Sequence, residues 1–215
     1  MSAVPATEDQ PTSAWFDPHR LGRAGAGDHG PAPKRIVVGY GFWLFLLSDF
    51  VMFSSFFAAF AVLSTSTAGG HVLFDLRGVA IETACLLMSS FACGMASLAV
   101  QARNQLWTQL ALVVTGLLGL AFLVLEVQEF AELVAAGNGP THSAFLTAFF
   151  SLVGCHGIHV SCGLLWLGTM MAQIFFKGFT PNMQRRFMCF SLFWHALDII
   201  WVAVFTVVYL IGAVQ

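Results

Sequence analysis

SLVGCHGIHVSCGLL, residues 151–165, sets two histidines three positions apart in the middle of an apolar run. No Lys, Arg, Asp or Glu occurs from 133 through 176. A run that long and that uncharged reads as a membrane-spanning helix. On a helix, positions i and i+3 lie about 60° apart, so His156 and His159 share a face. Polar side chains at membrane depth are expensive and turn toward other helices rather than lipid. The other spans are therefore expected to bring partners to that face.

The rest of the chain has the same character. Of 215 residues, 58% are hydrophobic and only 9% charged, against roughly 25% charged in soluble domains. Five apolar runs follow one another: 36–63 with Asp49, 78–102 with Glu82, 106–134 with Glu126, Glu129 and Glu132, 144–176, and 187–214 with Asp198. Each exceeds the roughly 20 residues needed to cross the hydrocarbon core. The expected fold is all-α, a polytopic bundle of five transmembrane helices. Gly137-Asn138-Gly139-Pro140 and Thr180-Pro181-Asn182 are turn signals, and short connections make sequential helices antiparallel neighbours. No internal repeat is visible, which leaves an inverted-repeat transporter without support.

Charge sets the orientation. With five spans, Arg20, Arg23, Lys34, Arg35, Arg103, Lys177, Arg185 and Arg186 fall on one side and Arg77 on the other. Positive residues stay inside, so the N-terminus is expected in the cytoplasm and the C-terminus in the periplasm. Residues 1–35 are polar and rich in Ala, Gly and Pro, as in a flexible cytoplasmic tail, and His19 and His29 read as solvated there. The apolar run after the tail is too long for a signal peptide. The net charge of −2 and the scattered basic residues exclude a nucleic-acid partner. Cys85, Cys93, Cys155, Cys162 and Cys189 all lie in apolar runs and read as small packing residues. They form no CxxC motif.

The few polar groups at depth carry the functional question. Asp49, His156 and His159 fall near the middle of their spans. His195 and Asp198 again share a face and lie in the inner half to middle of the fifth. These five are candidates for one polar layer across spans one, four and five. Glu126 and Glu129 form a same-face pair toward the outer end of span three, within reach of Glu82 at the outer end of span two. Three readings compete: an internal hydrogen-bond network that fixes helix register, a proton or ion path, and a metal site. Di-metal bundles use Glu-x-x-His on one helix, whereas these pairs are Glu-x-x-Glu and His-x-x-His, so no metal ligand is assigned. Haem ligation is open on histidine count alone, with no facing pair specified. In span two Ser89, Cys93 and Ser97, with Ala92 and Ala96 beside them, form the small-residue stripe that permits close helix approach in lipid.

Four stretches carry a resemblance: LLSDFVMFSSFFAAFAVL with Asp49, VQEFAELV with Glu129, FFSLVGCHGIHVSCGLLW with His156 and His159, and SLFWHALDIIWVAVFTVVYLIG with Trp194, His195, Asp198 and Trp201. In this order and spacing, from about Gly41 to Gly212, the chain resembles subunit III of the haem–copper terminal oxidases, most closely the five-span form of bo-type ubiquinol oxidases. Mitochondrial-type relatives have seven spans.

The resemblance implies a non-catalytic subunit of a proton-pumping ubiquinol oxidase in a bacterial inner membrane. That enzyme reduces oxygen to water in the aerobic respiratory chain. The haems and copper would sit on the large subunit I, with no cofactor on this chain. Subunit II, a small subunit IV and phospholipids would be further partners, and the chain would support stability and proton uptake. The resemblance makes Glu129, His156, His159, His195 and Asp198 partners within the bundle, and the tryptophans Trp194 and Trp201 packing or lipid contacts. Asp49 falls where many relatives carry a buried Glu, one methylene longer. The rival reading is a stand-alone small membrane metalloenzyme or proton-conducting protein.

Overall fold

The computed structural model describes residues 34–63, 76–140, 143–178 and 180–210. The tail through residue 33, with His19 and His29, and residues 211–214 of the fifth apolar run lie outside the described residues. Within them the chain forms five long helices: α1 (Lys34–Leu63), α2 (Leu76–Gln101), α3 (Gln105–Ala135), α4 (Ala144–Lys177) and α5 (Pro181–Val204). α5 continues as a π-helical turn, Phe205–Leu210. The helices are 24 to 34 residues long, or about 36–51 Å at 1.5 Å per residue. All five are long and apolar enough to cross a membrane.

Local chemistry fixes the ends. Arg103 turns the chain after α2 with a left-handed backbone (φ 53). Asn104 then caps α3, its side chain accepting from the Trp107 N–H. Ser143 caps α4 through the Leu146 N–H, and Thr180 caps α5 through the Met183 N–H. Pro181 occupies the first position of α5, where its missing N–H costs nothing. Thr180-Pro181-Asn182 is thus the cap and first turn of α5, which starts upstream of the apolar run at Phe187. Gly178 ends α4 at φ 64, a conformation that favours glycine.

The helices α2, α3, α4 and α5 close into a ring in which each touches the next and α5 returns to α2; α1 packs outside it against α4 and α5. Within the ring neighbours run antiparallel, while α1 runs parallel to α5, with Gly39 beside Met188 near the start of both. Gln105 and Gln109, early in α3, donate from Nε2 to the carbonyls of Ile174 (3.0 Å) and Met171 (3.0 Å), late in α4. At the other end Phe130 meets Phe149 edge-on. Along α1 and α4, Phe42 meets Trp166 and Phe60 meets Phe145 in the same opposed order. Large apolar side chains cover the outside: Val62, Leu165 and Phe176 are 73–81% exposed. Lipid is as apolar as these residues, so hydrophobicity alone does not choose the inner face; small and polar residues do.

Trp194 shows that choice most directly. It is 2% exposed, and its indole lies between α3 and α4. A Cβ on Gly119 would stand 2.9 Å from Trp194 Cη2, and one on Gly163 would stand 2.9 Å from Cζ3. Only glycine at both positions leaves room for the ring. Trp194 Nε1 donates to Ser89 Oγ on α2 (3.0 Å), which in turn donates to the Thr115 carbonyl on α3 (3.1 Å). One side chain from α5 therefore engages the other three helices of the ring. Gly163→Ala is expected to destabilise the bundle by about 1–3 kcal/mol through overpacking. Unfolding in dodecyl maltoside micelles measures this, and an unchanged midpoint would show that the indole is not wedged.

Candidate functional site

The polar residues of the interior gather in several places. On the α2–α5 seam, hydroxyls of α2 meet side chains of α5 in antiparallel order. Ser97 Oγ lies 3.3 Å from Ser191 Oγ, Ser90 Oγ 2.6 Å from His195 Nδ1, and Trp201 Nε1 donates to Thr83 Oγ1 at 3.1 Å. With the Ser89–Trp194 bond, these contacts tie the two helices along several turns. Asp198 lies beside Ser90 and His195. Its Oδ1 has no hydrogen-bond partner among the described residues.

Asp49 and His159 come together where α1 packs on α4, with Cys155 close by. His159 Nδ1 lies 2.7 Å from the Cys155 carbonyl. A carbonyl only accepts, so Nδ1 carries the proton and the tautomer is set. Phe53 of α1 meets the same imidazole edge-on at 5.3 Å between centroids.

His156, one turn away, is fully buried and sits among aromatic rings. Trp201 lies 5.1 Å from it at 32°, while Phe122 (5.7 Å) and Phe53 (6.3 Å) present edges. Neither ring nitrogen has a hydrogen-bond partner among the described residues. The five central groups are thus divided. Asp49 and His159 face one another between α1 and α4, His195 and Asp198 face α2, and His156 lies in the aromatic box.

The acidic residues meet near the end of the bundle where α3 runs into α4. Glu82, Glu126 and Glu129 lie within electrostatic reach of one another and of Tyr209. Glu82 and Glu126 are each 2% exposed. The Tyr209 hydroxyl donates to Glu129 Oε2 at 2.9 Å. The Glu126 carboxyl rests on the backbone of Gly157; a Cβ there would stand 2.6 Å from Oε1. Among the described residues, no three or more His, Cys, Asp or Glu side chains converge in a way that could hold a metal ion.

Several residues that matter here are not apparent from sequence alone. Ser89 and Ser97 read as small residues in a packing stripe, yet their hydroxyls carry bonds, as do those of Thr83 and Ser90. Tyr209 reaches Glu129 from the π turn, whose wider winding a 3.6-residue period does not anticipate. Gly119, Gly157 and Gly163 matter as backbone surfaces that admit a side chain from another helix. A small residue facing a Trp or Glu at matching depth on a neighbouring span is the available signal. Tyr209→Phe removes the donor to Glu129 and keeps the ring. It is expected to cost about 1–3 kcal/mol, read as a lower unfolding midpoint in detergent; a midpoint equal to wild type would show that this bond contributes nothing.

Comparison with known proteins agrees with this architecture. Residues 12–213 match the family described as cytochrome c oxidase subunit III. The chain is 48% identical over 202 residues to the cytochrome bo(3) ubiquinol oxidase subunit 3 of Pseudomonas aeruginosa, covering 92% of this chain and 94% of that one. It is 41% identical over 178 residues to the same subunit of Buchnera aphidicola, covering 81% and 94%. It is 40% identical over 175 residues to the quinol oxidase subunit 3 of Bacillus subtilis, covering 80% and 86%. A bundle of five apolar helices, matched along nearly its whole length, belongs to the cytochrome c oxidase subunit III family.

Proposed function

We propose that this chain is the non-catalytic subunit III of a proton-pumping ubiquinol oxidase in a bacterial inner membrane. The observation that carries the reading is the continuous match at 48% identity over 92% of the chain to a bo(3) ubiquinol oxidase subunit 3. The interior supports it. The Ser90–His195, Thr83–Trp201, Ser89–Trp194 and Glu129–Tyr209 pairs are spent on holding one helix to another. Haems and copper would reside on the large subunit I, and subunits II and IV and phospholipids would be further partners. The chain's contribution is to hold the assembly together and sustain proton uptake into it. The orientation follows from charge. Arg103, Arg185 and Arg186 lie at the joined ends of α2, α3, α4 and α5, and Arg77 lies at the opposite end of α2. This asymmetry supports a cytoplasmic N-terminus and a periplasmic C-terminus.

Purification decides between this reading and a stand-alone metalloenzyme or proton-conducting protein. The tagged chain, solubilised in mild detergent, is expected to bring with it a much larger chain with a haem absorption spectrum. Recovery of the chain alone with stoichiometric metal or haem would contradict the proposal. Within the oxidase, Asp49→Asn preserves size and hydrogen-bonding capacity beside His159. Oxygen consumption per haem is expected to stay near wild type. A fall in turnover at unchanged haem content would instead make Asp49 a proton relay.

A further inference from the structure

Trp201 and Thr83 meet at one level of the interior, with Phe122 and His156 against the same indole. Glu82 is one residue nearer than Thr83 to the end of the bundle where α5 finishes. Glu126 stands one turn beyond Phe122 in the same direction. Glu129 and Tyr209 lie further toward that end, joined at 2.9 Å. The two buried acids thus lie between Trp201 on one side and the Glu129–Tyr209 pair on the other. α4 flanks them with Gly157, on which Glu126 rests, and with Phe149, which meets Tyr209 edge-on at 5.8 Å. Glu82 Oε2 and both Glu126 oxygens have no hydrogen-bond partner among the described residues.

The outer boundary of this group is carried by the π turn. Such winding is rare, occurs mostly as single turns and is frequent at functional sites. Its entry is already loosened. The Val202 carbonyl accepts from the Phe205 N–H and also from the Thr206 hydroxyl at 2.8 Å. A threonine hydroxyl that bonds back four residues competes with the backbone ladder and bends helices. Tyr209 holds the turn down, with its ring against Phe149 and Trp201 and its hydroxyl on Glu129. Releasing that hydroxyl frees the turn without disturbing the α2–α5 seam, because the Trp201–Thr83 bond lies about two turns back. The acids favour release: a buried carboxyl without a partner is costly, and entering water relieves the cost.

We propose that the π turn, Phe205–Leu210, is a lid that opens on the Glu129–Tyr209 bond and gates proton exchange between water and the buried pair Glu82 and Glu126. Closed, it seals both carboxyls at the end of the bundle where α5 finishes. Open, it admits water to them while the rest of α5 stays packed. The titratable groups that face the lid are Glu82 from α2, and Glu126 and Glu129 from α3. The inference does not depend on which larger assembly the chain joins.

The test uses the full chain in dodecyl maltoside micelles, in whatever assembly it purifies with. Amide hydrogen exchange is followed by peptide mass spectrometry. The same peptides report coupling of glycine ethyl ester to carboxyls by a water-soluble carbodiimide. In wild type the amides of 205–210 are expected to exchange ahead of those of 186–200, as a locally opening unit does. Tyr209→Phe keeps the ring and removes the bond. It is expected to speed exchange over 205–210, and labelling of Glu82 and Glu126, by one common factor of about ten, the worth of one hydrogen bond. A lid requires the common factor, because water and reagent enter through the same opening. Glu129→Ala removes the bond from the α3 side and should match, which keeps the test decisive if Tyr209→Phe does not fold. Glu129→Gln retains an acceptor for the Tyr209 hydroxyl and should stay near wild type. Exchange over 205–210 that only keeps pace with 186–200 in wild type, faster exchange without faster labelling, or no change in either variant that removes the bond would each overturn the lid.

Discussion

The bundle depends on Trp194. Its indole fills the space left by two glycines on two other helices, Gly119 and Gly163, and its N–H goes to a serine on a third. Within a membrane this matters more than in water. Solvent does not drive the helices together, so association rests on close packing and on interhelical hydrogen bonds. A large flat ring in a slot of glycines supplies the first, and an indole N–H with a hydroxyl supplies the second. Had either glycine carried a side chain, α5 could not sit so close to α3 and α4.

The neighbouring contacts extend the same solution along the α2–α5 seam. Ser97, Ser90, Ser89 and Thr83 on α2 meet Ser191, His195, Trp194 and Trp201 on α5 in opposed order. A shift of α5 by one turn would leave these groups buried and unpaired, so the contacts fix register as well as strength. The acidic cluster is of a different kind. Glu126 rests on Gly157 with both carboxyl oxygens unpaired among the described residues, while Glu129 is bonded to Tyr209. That end of the bundle is less fully satisfied than the seam.

Much of the fold was legible in the chain. Apolar runs spaced by Gly, Pro and Asn turns mark five spans, and the depth of each Asp, Glu and His within its run indicates which could meet. The resemblance named the family before any contact was known. What stayed hidden were pairings that depend on rotation about helix axes. His195 and Asp198 read as partners of Asp49 and the α4 histidines, yet they turn to Ser90 on α2, because a serine in an apolar helix signals small size and acceptor capacity alike. The aromatic box of His156 was equally hidden: Phe53, Phe122 and Trp201 come from three helices and look like lipid-facing residues when read singly. The π turn shifts Tyr209 off the face that regular winding would give it.

The most direct measurement of the central claim is a double-mutant cycle between Ser89 and Trp194, using Ser89→Ala, Trp194→Phe and the pair, with unfolding free energies measured in dodecyl maltoside micelles. If the indole N–H and the hydroxyl hold α5 to α2 as described, the two changes are coupled by about 0.5–3 kcal/mol. Strictly additive effects would mean that the seam is held by packing alone and that the hydrogen bond from Trp194 does not bind the helices together.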